Sequence, residues 1–192
     1  MRVLGISGSL RRDSLNSALL RAAAERLPAG AELVEFEGLH EIPPYDADLE
    51  LEGTPLAVRQ LREAIRGADA VLVATPEYNQ SIPGVLKNAL DWASRPAGHS
   101  ALNGKPAAAI GASTGMFGAV WAQAETRKVL GALGGRVVEA ELPVARAAEQ
   151  YVNGELELTP QQSEQLQEIL AELISAVEEV QEFARERERV AA

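Results

Sequence analysis

Short, continuously apolar runs alternate with longer segments of helical periodicity along most of this chain, and no other feature constrains its fold as strongly. Val3–Ile6, Leu33–Phe36, Val71–Ala74, Ala107–Ile110 and Val137–Ala140 have the length of strands. Several are apolar throughout instead of at every second position, as strands are when helices cover both faces of a parallel sheet. Periodic segments lie around Ser17–Leu27, Leu56–Arg66, Gly84–Ala93 and Gly118–Leu133. Parallel neighbours need crossover connections, and those are right-handed. The predicted class is therefore α/β, a doubly wound parallel sheet of five strands with helices on both faces.

The clearest helix is the last. Thr159-Pro160-Gln161-Gln162 supplies an N-cap, a proline at the first helical position and a capping-box glutamine. Leu166, Ile169, Leu170, Leu173, Val177 and Val180 follow at three- and four-residue spacing, a stripe expected to cover one face of the sheet and not to form a coiled coil. Beyond Phe183 the run Arg185-Glu186-Arg187-Glu188-Arg189 is expected to fray. Glu41–Pro55, with Pro43-Pro44-Tyr45, reads as a long irregular connection ending at a Thr54-Pro55 helix start. With no internal repeat or linker in 192 residues, one domain over 1–183 and a charged tail over 184–192 are expected.

Composition removes whole classes of function. Apolar residues make up 46% of the chain, enough for a sizeable core, yet no apolar run approaches the roughly 20 residues that span a bilayer. The first apolar run is too short for a signal-peptide core, so a cytoplasmic address is expected. Cysteine is absent, which excludes disulfides, thiolate metal sites and the cysteine nucleophile that phosphatases of similar open α/β architecture need. A net charge of −10 argues against nucleic acid and anionic membranes as partners. His40 and His99 sit in no ligand-spaced cluster, and no metal site is expected.

In open parallel sheets ligands bind beyond the carboxyl ends of the strands, so the loops after the first, third and fourth strands belong together. The first, Ser7-Gly8-Ser9-Leu10-Arg11-Arg12-Asp13-Ser14-Leu15-Asn16, combines glycine, hydroxyls, a fixed charge and a helix start, the ingredients of a phosphate site. It matches neither a dinucleotide Gly-x-Gly-x-x-Gly pattern nor a Walker loop, and a serine-rich turn capped at Ser14 or Asn16 explains it equally well. The second, Thr75-Pro76-Glu77-Tyr78-Asn79-Gln80-Ser81-Ile82-Pro83-Gly84, is stiffened by two prolines and carries an aromatic that either covers a planar ring or belongs to the core. The third, Gly111-Ala112-Ser113-Thr114-Gly115-Met116-Phe117-Gly118, has three glycines and two hydroxyls, suited to a ligand edge or to tight strand–helix packing. Three such loops on one edge favour a ligand site over three separate structural explanations.

These loops resemble the NADPH-dependent FMN reductase family. Gly8 through Asn16 is similar to its phosphate loop. The run Pro76-Glu77-Tyr78-Asn79-Gln80-Ser81-Ile82-Pro83-Gly84-Val85-Leu86-Lys87-Asn88-Ala89-Leu90-Asp91-Trp92 is similar to its most distinctive segment, and Gly111–Gly115 to its third loop. The resemblance implies a flavodoxin-like three-layer sandwich of strand order 2-1-3-4-5, closed by a helix within Leu156–Val180. It also implies FMN as cofactor and NADPH or NADH as co-substrate. Ser9, Arg11 and Asn16 would hold the phosphate, with Ser14 near it. Pro76, Glu77, Tyr78 and Asn79 would line the isoalloxazine, and Ser113 with Gly115 would close its other edge. The implied activity passes two electrons from the nicotinamide through the flavin to a quinone, flavin, azo compound or oxyanion, with no catalytic side chain required. Glu77 is expected to shape its loop and not to act as a base. The family pattern implies a homodimer or homotetramer, with some of Leu86, Leu90, Trp92 and Trp121 expected in subunit contacts. Ala119 and Trp121 depart from a glycine and an arginine common in the family, which affects subunit contacts and the nicotinamide side. Two rivals are a flavodoxin-type electron carrier, against which Arg11 speaks, and a nucleotide or sugar-phosphate binding protein that never holds flavin.

Overall fold

The computed structural model describes residues 1–191. The chain opens with β1 (Arg2–Ser7), α1 (Leu15–Ala24) and β2 (Glu32–Glu35). The long connection contains a 3-10 turn and a short helix, α2 (Ala47–Glu52), before α3 (Leu56–Gly67). There follow β3 (Ala70–Thr75), α4 (Gly84–Ala93), β4 (Pro106–Ala112) and α5 (Val120–Ala132). Then come β5 (Arg136–Val137), β6 (Pro143–Val144), a hairpin of β7 (Tyr151–Val152) and β8 (Glu155–Leu156), and α6 (Pro160–Ala191).

The main sheet is parallel with order β2-β1-β3-β4-β5, the order the family resemblance implies. Alternation of side chains along each strand divides the core in two. Leu4, Ile6, Val71 and Val73 pack with α3, α4 and α5, whereas Val3, Leu72, Ala74 and Ile110 pack with α1 and α6. Every residue of β3 and β4 is buried, which explains why these strands read as unbroken apolar runs.

The closing helix begins as its sequence dictates. Thr159 Oγ1 accepts from the Gln162 N–H at 3.2 Å, and Gln162 Oε1 accepts from the Thr159 N–H at 2.9 Å, a reciprocal capping box. Leu166, Ile169, Leu170, Leu173 and Val177 are buried beneath it, each worth about 1.5–3 kcal/mol in transfer from water. The helix continues to Ala191, past Phe183 where fraying is expected, with Glu182 to Val190 exposed. Glutamate and arginine are good helix formers, and Arg187 lies 5.9 Å from the Phe183 ring centroid, so the tail has local support for helix. Ala192 of the expected tail lies outside the described residues.

Three features differ from the sequence expectation. The fifth strand, expected over Val137–Ala140, is split: β5 pairs with Pro106–Ala107, the chain bulges away, and β6 returns to pair with Gly111–Ala112. Buried Gln123 holds this detour, accepting from the Leu142 N–H at 2.9 Å and donating to the Gly118 carbonyl at 3.1 Å. Gly118 itself has φ +59°, and a Cβ there would stand 2.4 Å from the Pro143 carbonyl carbon, so only glycine lets the third loop lie against β6. Second, an Asn153-Gly154 turn with φ 51° and 92° joins β7 to β8, a two-residue hairpin signal. Third, Leu86, Leu90 and Trp92 are core residues of a single chain and not subunit contacts. The Trp92 indole donates to the Pro43 carbonyl at 2.8 Å and meets the Tyr45 ring edge-on, which straps the long connection to α4. Of that group only Trp121 remains exposed.

Candidate functional site

A cleft opens over the carboxyl ends of β1, β3 and β4. It is lined by Ser9, Arg11, Leu15, Asn16, Pro76, Glu77, Tyr78, Ala112, Ser113 and Thr114. The three loops therefore meet, because β1 and β4 flank β3 in the sheet and their following loops emerge on the same edge. Gly8 lets the first loop approach the second: a Cβ there would lie 3.0 Å from Leu86 and 3.2 Å from Pro76. Its N–H donates to the Ala74 carbonyl at 2.8 Å.

At one end stand Ser9, Arg11 and the start of α1. Ser9 Oγ accepts from the Arg11 N–H at 3.3 Å, which shapes the turn. Arg11 is exposed, is the one cationic side chain of the lining, and joins none of the ion pairs among the described residues. Ser14 is buried and caps α1 through the Ser17 N–H at 3.1 Å; it lies behind the cleft wall, not in it. The first intrahelical bond runs from Ala18 N–H to the Ser14 carbonyl, so the N–H groups of Leu15 and Asn16 are left without a helical acceptor at the cleft.

Asn16 lines the cleft but its amide is engaged elsewhere. It donates to the Ala112 carbonyl at 3.0 Å and accepts from the Ala112 N–H at 2.9 Å, and the side chain is buried. A residue expected at the phosphate is thus a strut between α1 and the third loop. Glu77 is engaged in a comparable way: its Oε2 accepts from the Trp121 and Ala122 N–H groups at 3.0 and 3.2 Å. That is the loop-shaping role expected of it.

Pro76 is buried and Tyr78 is half exposed at the cleft edge. Asn79 lies at the tip of a tight turn, outside the lining, with Asn79 and Gln80 at φ 53° and 61°. On the third loop, Ser113 Oγ accepts from the Gly115 N–H at 3.0 Å, so Gly115 borders the lining through Ser113. The lining also includes Leu15, Ala112 and Thr114, which the sequence reading did not single out; all three lie inside or next to the recognised loop segments. Met116, Phe117 and Trp121 continue from the third loop as an exposed apolar surface, with the Phe117 and Trp121 rings edge to face at 4.8 Å.

The groups with shifted pKa lie elsewhere. Glu50 accepts from Arg95 at 2.9 Å and from Tyr45 at 3.0 Å, and the Arg95 hydrogen bond holds its carboxyl below the usual range. Burial pushes Arg62 and Lys105 down, and Lys105 donates to the carbonyls that end α3. These groups brace the scaffold.

A parallel sheet of order 2-1-3-4-5 with a polar cleft over its first, third and fourth strands defines a flavodoxin-like domain. Residues 1–149 match the family described as NADPH-dependent FMN reductase, and the chain belongs to that family. It is 52% identical over 130 residues to an NAD(P)H-dependent FMN reductase of Pseudomonas aeruginosa, covering 68% of this chain and 69% of that one. It is 40% identical over 149 residues to a quinone reductase of Pseudomonas putida, covering 78% and 76%. Among solved structures, a flavoenzyme NAD(P)H:(acceptor) oxidoreductase of Paracoccus denitrificans superposes with TM-score 0.80 at 36% identity, over 93% of this chain and 97% of that one. No helix among the described residues is long and apolar enough to cross a membrane.

Proposed function

We propose that the cleft binds FMN and that the chain is an NAD(P)H-dependent reductase of quinone-type small molecules. The observation that carries this reading is the meeting, in one cleft, of a guanidinium in no ion pair among the described residues and an open helix start with a stiff loop bearing an aromatic ring. The donors fit a phosphate monoester: Arg11, the Ser9 hydroxyl and the N–H groups of Leu15 and Asn16 all offer hydrogen, and the only carboxylate of the lining, Glu77, has one oxygen occupied by two backbone donors. Bound FMN would supply hydride acceptance from the nicotinamide and electron delivery to the acceptor. The protein's own residues then have positioning work. Arg11 and Ser9 hold the phosphate, while Ser14 and Asn16 fix the loop that carries them. Pro76, Glu77, Tyr78 and Asn79 form the loop beside the isoalloxazine, with Ser113 and Gly115 at its other edge. The half-exposed Tyr78 leaves this side open to a planar acceptor, and the relatives named for FMN and quinone reduction support the same assignment.

The exposed Met116, Phe117 and Trp121 favour a homodimer or homotetramer closed over this surface. The primary test is reconstitution with FMN followed by steady-state turnover with NADPH or NADH and a quinone, without any added reductase. A yellow protein with about one FMN per chain that turns over by itself is expected. A yellow protein that needs a separate reductase would make it an electron carrier, and a colourless one would remove the flavin reading.

A further inference from the structure

The second loop folds into a two-residue hairpin, Tyr78 and Ser81 exchanging N–H···O bonds of 3.0 and 3.1 Å. Both ends of this hairpin are fastened to α5. On one side Glu77 Oε2 accepts from the N–H groups of Trp121 and Ala122, and on the other the Ser81 hydroxyl donates to Glu125 at 2.9 Å. The first turn of a helix leaves N–H groups without partners, and α5 receives no side-chain cap from the residue that precedes it, Ala119. Glu77, 44 residues upstream of Trp121, supplies that cap and adds a negative charge at the positive end of the helix.

We propose that Glu77 is a positioning residue that docks the Tyr78 hairpin onto α5 and so sets where this loop stands against the cofactor ring. The proposal rests on the cleft being the FMN site. Both bonds go to a single oxygen, so the role needs an acceptor aimed at the helix and does not need a titrating carboxyl. It also concerns the ring and not the phosphate, so riboflavin should feel its loss as strongly as FMN.

The test measures affinity for FMN and riboflavin, visible circular dichroism of the bound flavin, and kcat and KM for a quinone. The proteins are wild type, Glu77→Ala, Glu77→Gln and Ser81→Ala. Glu77→Ala is expected to weaken both flavins about tenfold, to change the visible dichroism and to raise the quinone KM. Glu77→Gln should recover affinity to within about threefold of wild type, and Ser81→Ala should shift the same readouts in the same direction by about threefold. Unchanged affinity and dichroism in Glu77→Ala would reduce the contact to a helix cap. A Glu77→Gln protein as impaired as Glu77→Ala would assign the carboxylate a direct role. Either result overturns the proposal. Should Glu77→Ala not fold, wild-type affinity and dichroism in Ser81→Ala overturn it instead. A wild type that binds no flavin would bring down the cofactor reading and this proposal together, whereas a flavin-binding wild type with indifferent variants would bring down this proposal alone.

Discussion

Replacing Arg11 by alanine tests most directly the proposal that this end of the cleft holds the FMN phosphate. Arg11 is the only cationic side chain in the lining, has no ion-pair partner among the described residues to release, and is exposed, so its removal should leave the fold intact. A hydrogen bond to a charged partner contributes about 1.5–3 kcal/mol. Solvent screening of an exposed guanidinium favours the lower half of that range, about 1.5–2 kcal/mol, which corresponds to roughly 10- to 30-fold in Kd. Flavin fluorescence titration at fixed ionic strength reads this directly. Riboflavin, which lacks the phosphate, should bind wild type and Arg11→Ala alike, and added salt should weaken FMN binding less in the variant than in the wild type. At saturating FMN most turnover should survive if, as proposed, Arg11 holds the phosphate and not the reacting ring. Arg12→Ala is the control: Arg12 is exposed and lies outside the lining. A larger FMN penalty for Arg12→Ala than for Arg11→Ala, or an equal loss of riboflavin and FMN affinity, would refute the assignment of the phosphate to this arginine.

Two further substitutions separate scaffold from site. Asn16→Ala removes both side-chain bonds to the Ala112 backbone and leaves its buried carbonyl without that donor, so urea unfolding should show a loss of about 1–3 kcal/mol together with weaker FMN binding. Unchanged stability would mean that water or the loop itself replaces the strut. Glu50 has its carboxyl pKa lowered mainly by the Arg95 hydrogen bond, and a lowered carboxyl stabilises the fold above its unfolded pKa and ceases to do so as pH falls through the folded value. The stability advantage of wild type over Glu50→Gln should accordingly be full near neutral pH and shrink as pH drops below about 4; a pH-independent difference between the two would contradict it.

The layered architecture was legible in the amino-acid order, because strand and helix periodicities are short-range consequences of which faces must leave water. Continuous apolar runs at β3 and β4 and the Thr159 capping box needed no distant information, and the unusual composition of three loops marked one edge of the sheet. The partner of each polar side chain there depends on segments far away in the chain, which local patterns do not encode. The family resemblance puts Asn16 at the phosphate, yet its amide bonds to Ala112, 96 residues away, because α1 runs past the end of β4 and the buried Ala112 backbone needs partners. Trp92 on its helix is open to either a subunit contact or the core from sequence, and the core prevails because the long connection folds over it and offers the Pro43 carbonyl. The fifth strand breaks because Gln123 on α5 bonds the Leu142 backbone, a competition between side chain and ladder that local periodicity does not encode. Glu77 lines the cleft yet turns one carboxylate oxygen to α5, because the helix start packed beside its loop has N–H groups without helical partners and that oxygen accepts from two of them.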